Sequence, residues 1–274
     1  MTGGAAPRRR VAVAGASGRM GRALVEALAA SPDLVLAAAF DVPGSSSIGS
    51  DPAAFLGRAS GSLIGDDARA AIAASEVLID FTRPAGTLAH LALCRELGVP
   101  AVVGTTGFDA AQKAAIAAHA EHVAIVLSPN MSVGVNVMLK LLDVAGRALA
   151  AGFDVEIVET HHRMKVDAPS GTALRMGEVV AAAQGTSLER VAVYDRNGER
   201  QPGSIGFAAL RGGDIVGDHT VLFAGSGERI ELTHRSTSRA TYADGSLRAA
   251  RFVLQKTSGL FGMDEVLGLG TIGR

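Results

Sequence analysis

The segment that most constrains the fold of this chain is a glycine-rich turn between a short apolar run and a helical run. Gly15, Gly18 and Gly21 are spaced as G-x-x-G-x-x-G, after a predicted strand at 10–14 and at the start of a predicted helix at 19–30. Glycines permit a tight turn and a close approach to a pyrophosphate, and the helix N-terminus offers free N–H groups to phosphate oxygens. The strict motif is G-x-G-x-x-G, so this turn alone is a weak signal and depends on its surroundings.

Strands and helices alternate around this turn. The predicted strands of the first half are residues 10–14, 34–40, 77–81, 101–104 and 124–127. The predicted helices are residues 19–30, 68–74, 86–97 and 110–119. Nearly continuous apolar strands that alternate with helices are typical of a parallel sheet with both faces covered. The first half therefore predicts an α/β domain with a Rossmann-type, doubly wound parallel sheet.

The pattern changes after Asn130. The predicted helices of the second half are residues 138–150, 173–183 and 248–253. The predicted strands are residues 153–160, 205–210, 215–223 and 228–234, which alternate as strands with one covered face do. We predict a dinucleotide-binding domain of residues 1–132 and 241–274, to which the last helix returns. Residues 133–240 are predicted to form a second, α+β domain with a mixed sheet.

Composition limits the classes of function. The chain has 274 residues, of which 48% are hydrophobic and 19% are charged, so it has enough apolar material for two cores. Its formal net charge is -1. A balance this close to neutral argues against nucleic acid or an acidic membrane surface as the main partner.

Three further features are those expected of a protein of the cytoplasm. No apolar run reaches the roughly 18 residues that a transmembrane helix needs. Residues 1–10 are basic but lead directly into a short strand, so we expect a short disordered lead and no signal sequence. Cys94 is the only cysteine, so no intrachain disulfide can form. It lies in an apolar helical pattern, which predicts a packed thiol and no nucleophile.

Asp41 supports the dinucleotide interpretation, because it directly follows the second predicted strand. A carboxylate there accepts hydrogen bonds from the adenosine ribose hydroxyls, and it repels a 2′-phosphate. The next residues are Val42 and Pro43, with no Arg or Lys, which favours NADH over NADPH. Arg19 is the one nearby side chain that could still reach a phosphate. The alternative is that Asp41 is a solvated turn residue.

Two more strand ends carry residues suited to a cofactor. Residues 77–81 run into Thr82-Arg83-Pro84, and residues 101–103 run into Gly104, Thr105, Thr106 and Gly107. Ligands of open α/β sheets bind beyond the carboxyl ends of the strands. Gly and Thr there can present backbone and hydroxyl groups to a nicotinamide ribose. Ordinary turn chemistry is the alternative, and we prefer it for Gly107.

The segment from Glu159 to Thr172 carries the candidate chemistry. A predicted strand ends in His161 and His162, and Lys165 precedes a helix that Ser170 or Thr172 would cap. A helix N-terminus attracts anions, a lysine adds positive charge, and a histidine with a pKa of about 6.5 donates protons near neutral pH. These features suit an anionic substrate that must be protonated. Because adjacent strand residues face opposite sides, the two histidines either divide the roles or share a site where the chain leaves the strand.

Two other interpretations of this segment are open. It could be a surface loop before a capped helix. It could also bind a metal ion, although no third His, Cys or carboxylate stands at a customary spacing and Lys165 would repel a cation. We therefore predict no metal site.

Together these motifs closely resemble the bacterial dihydrodipicolinate reductase family, also called 4-hydroxy-tetrahydrodipicolinate reductases, of the diaminopimelate route to lysine. The most specific match is His-His-x-x-Lys-x-Asp-Ala-Pro-Ser-Gly-Thr, which begins at His161 and ends at Thr172. The resemblance covers nearly the whole chain. The other matching segments are residues 11–21, 80–84, 104–107, 130–136 and 213–219.

The resemblance implies roles for the matching residues. His161 would be the proton donor, and Lys165 would also take part in catalysis. The substrate carboxylates would be held by His162, Ser170, Gly171 and Thr172. The dinucleotide would be lined by Gly15, Ala16, Ser17, Gly18, Arg19, Met20, Asp41, Gly104, Thr105, Thr106, Ser128, Pro129, Asn130 and Met131.

Three residues depart from the family's commonest pattern. Val42 stands where many members have a basic residue that assists NADPH, which strengthens the expected preference for NADH. Ser128 and Met131 replace the Ala and Phe that many members have beside the nicotinamide, a change that should alter packing more than chemistry.

The resemblance also implies the reaction and the assembly. Hydride would pass from NADH or NADPH to C4 of a cyclic, unsaturated imine, formed when the substrate loses water, and His161 would protonate the resulting enamine. The second domain would bind the substrate and assemble a homotetramer through its sheet. The alternatives are another reductase of the same plan, such as an amino-acid dehydrogenase, and a non-catalytic NADH-sensing regulator.

Overall fold

The computed structural model describes residues 7–271. Residues 1–6 of the predicted lead, and residues 272–274 of the predicted first domain, lie outside the described residues. The described chain divides into two units. The first comprises residues 7–133 and Ala240–Gly270, and the second comprises Gly134–Arg239 together with Thr271.

Short strands and helices make up both units. Residues 7–271 form the strands β1 (Arg9–Ala14), β2 (Leu34–Phe40), β3 (Ile64–Gly65), β4 (Val77–Asp80), β5 (Ala101–Val103), β6 (Ala124–Leu127), β7 (Asp154–His161), β8 (Ala192–Val193), β9 (Ile205–Arg211), β10 (Gly217–Ala224), β11 (Arg229–Ser236) and β12 (Gly259–Phe261). The α-helices are α1 (Arg19–Ala30), α2 (Ala68–Ala73), α3 (Pro84–Leu97), α4 (Ala110–Ala120), α5 (Val133–Ala148), α6 (Gly171–Ala183), α7 (Leu188–Val191), α8 (Ala240–Val253) and α9 (Met263–Leu267). Two short 3₁₀ helices cover Ala54–Leu56 and Leu269–Thr271.

The first unit contains a parallel sheet in the order β12-β6-β5-β4-β1-β2-β3. Six of these strands follow the order 3-2-1-4-5-6 of a Rossmann fold. Val11 of β1 packs with Leu24 of α1 and Leu247 of α8 on one face. Ala12 packs with Leu91 of α3 on the other face. The predicted doubly wound sheet is confirmed.

The second unit contains a mixed sheet in the order β11-β10-β7-β9-β8. β10 is antiparallel to both β11 and β7, whereas β9 is parallel to both β7 and β8. Met138 of α5 and Met176 of α6 pack on one face with Ile157 and Phe223. The predicted α+β arrangement with a mixed sheet is confirmed.

Two predicted helices begin earlier than their sequence pattern indicated. α5 begins at Val133 and not at residue 138, and α8 begins at Ala240 and not at residue 248. Val and Gly lower helix propensity at the start of α5, but burial of Val135 overrides that preference. In α8, a Cβ at Gly245 would lie 1.8 Å from the carbonyl oxygen of Met131. Glycine is required there by close packing, so it does not mark a helix break.

Five short elements escaped prediction because they are too short for a hydrophobic pattern to repeat several times within them. They are β3, β8, β12, α7 and α9. Cys94 is fully buried in α3, and burial raises the pKa of its thiol, as expected for a packed residue. Within residues 7–271, no helix combines the length and apolar character needed to span a bilayer.

Candidate functional site

The glycine-rich turn lies between β1 and α1, at the carboxyl end of the parallel strands. Gly15 has a φ of 65°, in the left-handed region that favours glycine. A Cβ at Gly21 would lie 2.3 Å from the carbonyl oxygen of Gly15, so α1 starts directly against the turn. Gly18 is the N-cap of α1, and within the described chain no side chain caps this helix. Its first N–H groups therefore suit the pyrophosphate of a dinucleotide.

Asp41 connects the tip of β2 to this turn. Its carboxylate accepts hydrogen bonds from the Ser17 hydroxyl, from the Ser17 N–H at 3.3 Å and from the Val42 N–H at 2.8 Å. Arg19 is exposed at the first position of α1. The structure thus brings together the predicted acidic residue and the predicted phosphate-binding turn.

Asp80, a fully buried residue at the end of β4, had no predicted role. Its carboxylate accepts from the Thr82 N–H at 2.8 Å and from the Thr82 hydroxyl at 2.7 Å. Nδ1 of His90 lies 2.8 Å from Asp80 Oδ2, and the Thr105 hydroxyl lies 3.4 Å from Oδ1. Asp80 therefore orients two threonines at the carboxyl ends of β4 and β5. The sequence signal for this role was an acidic residue near the end of an apolar predicted strand.

The remaining predicted cofactor residues follow β5 and β6. A Cβ at Gly104 would lie 2.1 Å from the Phe81 ring, so only glycine fits there. Thr106 is exposed. The Ser128 hydroxyl donates to the Asn130 carbonyl at 2.8 Å, which folds this loop on itself.

Two residues of that loop differ sharply in exposure. Pro129 is exposed, whereas Met131 is fully buried in the core beneath α8. All the predicted cofactor residues of this unit follow the carboxyl ends of β1, β2, β5 and β6, the edge at which such sheets bind ligands.

His161 is the last residue of β7, so the chain leaves the strand between the two histidines. Nδ1 of His161 lies 2.6 Å from Oε2 of Glu159, two residues earlier on the same face. His161 is buried, and no group among residues 7–271 bonds to its Nε2 atom. One ring nitrogen is thus held by a carboxylate and the other is available to a ligand.

Glu159 is itself buried and has two more partners. Nη1 and Nη2 of Arg211 donate to its two oxygens, each at 2.7 Å, and the Ser170 N–H donates to Oε1 at 3.0 Å. Burial disfavours the charged carboxylate, but hydrogen bonds from Arg211 and His161 outweigh it and hold the pKa of Glu159 below its ordinary value. Glu159 and Arg211 had no predicted role. The i, i+2 spacing of Glu159 and His161 was a usable signal, whereas Arg211 had none.

Ser170 is the N-cap of α6, which settles the choice between Ser170 and Thr172. Its hydroxyl oxygen accepts from the Ala173 N–H at 3.2 Å and lies 2.8 Å from Nε2 of His219. Burial and the nearby His161 lower the pKa of His219 to about 4. His219 is therefore neutral at pH 7, and its Nε2 atom shares a hydrogen bond with the Ser170 hydroxyl.

Lys165 lies in the loop between β7 and α6. Its Nζ atom lies 2.7 Å and 2.8 Å from the two carboxylate oxygens of Asp167. Nη2 of Arg211 donates to the Asp167 carbonyl at 2.6 Å, which connects Lys165 to the cluster around His161. His162 is partly exposed in the same loop.

The start of α6 completes this group of predicted residues. Gly171 and Thr172 are its first two residues.

Among residues 7–271, no group of three or more His, Cys, Asp or Glu side chains is arranged to hold a metal ion.

Comparison with known proteins identifies the family. Residues 9–131 match the family model described as dihydrodipicolinate reductase, N-terminus, and residues 134–267 match the corresponding C-terminus model. The 4-hydroxy-tetrahydrodipicolinate reductase of Aromatoleum aromaticum is 63% identical over 95% of this chain and 95% of its own length. That of Cupriavidus pinatubonensis is 59% identical over 94% of this chain and 99% of its own length.

A solved structure agrees in fold. The dipicolinate-bound dihydrodipicolinate reductase of Paenisporosarcina sp. TG-14 has a TM-score of 0.77 at 24% identity, over 94% of this chain and 99% of that chain. The chain is thus a Rossmann-type oxidoreductase with a nicotinamide cofactor, and it belongs to the dihydrodipicolinate reductase family.

Proposed function

We propose that this chain reduces 4-hydroxy-tetrahydrodipicolinate to tetrahydrodipicolinate in the diaminopimelate route of lysine biosynthesis. The observation that carries this proposal is the 63% identity to a relative of that name over 95% of both chains. When bound, the reduced nicotinamide supplies the hydride that adds to C4 of the cyclic imine. The residues of this chain bind the dicarboxylate, orient it and deliver the proton that completes the reduction.

His161 is the proton donor in this proposal. Its Nδ1 atom is held by Glu159 at 2.6 Å, which leaves Nε2 for the substrate. The proton moves from this nitrogen to the enamine carbon next to C4. A positioned general acid typically contributes roughly 10²–10⁴-fold to the rate.

The substrate carboxylates bind at the start of α6 and in the loop before it. The first N–H groups of a helix have no partners within the helix and attract anions, so Gly171 and Thr172 are suited to this role. Ser170 fixes the position of the terminus through its contacts with His219 and Ala173. His162 and Lys165 add hydrogen bonds and positive charge. Lys165 leaves the Asp167 carboxylate and pairs with a substrate carboxylate instead.

The dinucleotide binds in the first unit, at Gly15 to Met20, Asp41, Gly104 to Thr106 and Ser128 to Met131. NADH is the favoured cofactor and NADPH the second. The Asp41 carboxylate lies beside Ser17 of the phosphate-binding turn, where it would repel a 2′-phosphate. Val42 is 66% exposed and offers that phosphate no charge.

The chain also acts as a homotetramer in the cytoplasm in this proposal. The face of the mixed sheet opposite α5 and α6 carries exposed apolar residues, with Val158 at 36% and Leu210 at 50% exposure. Such a face can bury apolar area against another copy of the chain. A mass four times that of the monomer in light scattering is the expected result.

The reaction is tested by mixing the purified protein with NADH and following the loss of NADH absorbance. Oxidation is expected only when the product of dihydrodipicolinate synthase is added. A protein that binds NADH but oxidises none with this product would rule out the proposed reaction. A panel of amino acids with NAD⁺ serves as the control for an amino-acid dehydrogenase, and no reduction of NAD⁺ is expected there.

A further inference from the structure

Glu159 contacts three different parts of the second unit. It is 1% exposed, and its oxygens lie 2.6 Å from Nδ1 of His161, 3.0 Å from the Ser170 amide nitrogen and 2.7 Å from both terminal nitrogens of Arg211. One carboxylate thus joins the candidate proton donor to the helix terminus that would hold the substrate. Such a carboxylate can control the geometry of both.

Arg211 keeps this carboxylate charged in a buried place. A buried charge is costly unless it is paired and hydrogen-bonded, and the two-pronged arginine contact provides both. The guanidinium is itself held by the carbonyl oxygens of Leu210 and Asp167, each at 2.6 Å. The pair is therefore fixed within β7, β9 and the loop before α6.

The charged and titratable groups around His161 come from four elements. They are Glu159 on β7, Arg211 on β9, His219 on β10, and Lys165 with Asp167 in the loop before α6. His219 packs edge-on against His161, with ring centroids 5.1 Å apart. Burial lowers the pKa of His219 to about 4, so it adds no charge near neutral pH. Lys165 and Asp167 form an ion pair with each other. The negative charge of Glu159 and the positive charge of Arg211 thus offset each other directly beside the imidazole of His161.

We propose that Glu159 and Arg211 form a positioning pair for His161. Glu159 accepts the Nδ1 proton and so fixes the ring and its tautomer, which directs Nε2 toward the substrate. Arg211 balances the carboxylate, so that His161 releases its proton to the enamine. This inference rests on the proposed function, in which His161 is the donor.

The test compares the pH profiles of kcat/KM for the wild type, Glu159→Gln, Arg211→Gln and the double variant. A general acid works only while it is protonated, so the rate falls on the alkaline side. Without the carboxylate, Arg211 is unbalanced beside His161 and the alkaline limb moves to lower pH. In Arg211→Gln, the carboxylate of Glu159 is unbalanced and the alkaline limb moves to higher pH. Both shifts should be roughly one pH unit. The double variant returns to near the wild-type limb with a reduced kcat.

If Glu159 and Arg211 had a merely structural role, kcat would fall in the variants but the alkaline limb would stay at the wild-type pH in all of them. That result would overturn the proposal. Arg211→Lys keeps the charge but loses the two-pronged contact. The alkaline limb of the Arg211→Lys profile should therefore stay at the wild-type pH, while kcat falls roughly 10- to 100-fold. If Arg211→Gln does not fold, Glu159→Gln and Arg211→Lys decide the matter: an unmoved limb in Glu159→Gln rejects the pair.

Cofactor binding separates this proposal from general damage. Both residues lie in the second unit, so the Kd for NADH should equal that of the wild type in each folded variant. A wild type without turnover would reject the proposed function and the pair with it. Wild-type turnover with unmoved limbs would reject the pair alone.

Discussion

Oε2 of Glu159 lies 2.6 Å from Nδ1 of His161, and the two residues occupy the same face of β7. The period of two in a strand makes this contact possible, and the end of β7 at His161 places the imidazole where the chain turns away. The contact leaves Nε2 as the nitrogen that can deliver a proton. The first two predictions test that nitrogen directly.

His161→Gln should lower kcat by roughly 10²–10⁴-fold, because glutamine cannot act as a general acid. The Kd for NADH should stay at the wild-type value, since the glycine-rich turn lies in the other unit. Steady-state kinetics and NADH fluorescence titration measure the two quantities. His122→Gln, at an exposed histidine after α4, is the matched control with wild-type kinetics. An unchanged kcat in His161→Gln would reject the donor role.

Gly217→Ala should also lower kcat, by roughly tenfold or more. A Cβ at Gly217 would lie 2.9 Å from Nε2 of His161, so the imidazole must shift, and small shifts of a reacting group are costly. Gly212→Ala is the control, because a Cβ there meets open space. Kinetics of both variants, with melting curves to verify folding, make the measurement. Equal kcat values in the two variants would contradict this account of Nε2.

Asp41→Ser should reduce the preference for NADH over NADPH by roughly tenfold, the worth of one charge-assisted hydrogen bond. In the proposed cofactor site, the Asp41 carboxylate would accept hydrogen bonds from the ribose hydroxyls and would repel a 2′-phosphate. The measurement is the ratio of kcat/KM for the two cofactors in wild type and variant. Asp66→Ser, at an exposed residue after β3, is the control. A wild type that prefers NADPH would refute the argument, and Arg19→Ala would then test the next basic residue.

His219 should make the fold less stable as the pH falls from about 6.5 to about 4. Burial, assisted by His161, lowers its pKa to about 4 in the folded chain, whereas an unfolded histidine titrates near 6.5. Between these values the unfolded chain binds a proton that the folded chain does not, so stability is lost toward acid, by up to roughly 3 kcal/mol. Melting temperatures at pH 7 and pH 4.5 should therefore differ less in His219→Gln than in the wild type.

The control for this pH dependence is His122→Gln, which should lose as much melting temperature between the two pH values as the wild type. His219→Gln also replaces a buried ring that packs beside Ser170, so it should melt lower at pH 7. An identical pH dependence in wild type and His219→Gln would show that another group controls acid stability.

Gly245→Ala should destabilise the first unit. A Cβ at this position would lie 1.8 Å from the carbonyl oxygen of Met131, and overpacking of a close contact costs about 1–3 kcal/mol or more. Thermal melting detects the change. Asp244→Ala substitutes the preceding, exposed residue of α8 and should melt near the wild type. A stabilised Gly245→Ala, as helix propensity alone would predict, would contradict the packing account.

The contrast between α1 and α8 shows where prediction from sequence succeeds. α1 spans Arg19–Ala30 as predicted, because its apolar period and the glycine turn before it are local signals. α8 extends eight residues further toward its N-terminus than predicted. Its Gly245 lowers helix propensity but permits contact with Met131, a residue more than a hundred positions away.

The amino-acid sequence by itself determined the class of both units, the glycine turn with Asp41, and the segment from His161 to Thr172. These features depend on hydrophobic periods and short motifs, and both are formed by residues that are close together in the sequence. Only the tertiary structure decided the partners of those residues. Arg211 reaches Glu159 across 52 positions and His219 reaches Ser170 across 49. Strand register determines such contacts, and a shift of one residue would turn every side chain to the other face, a choice that no local pattern encodes.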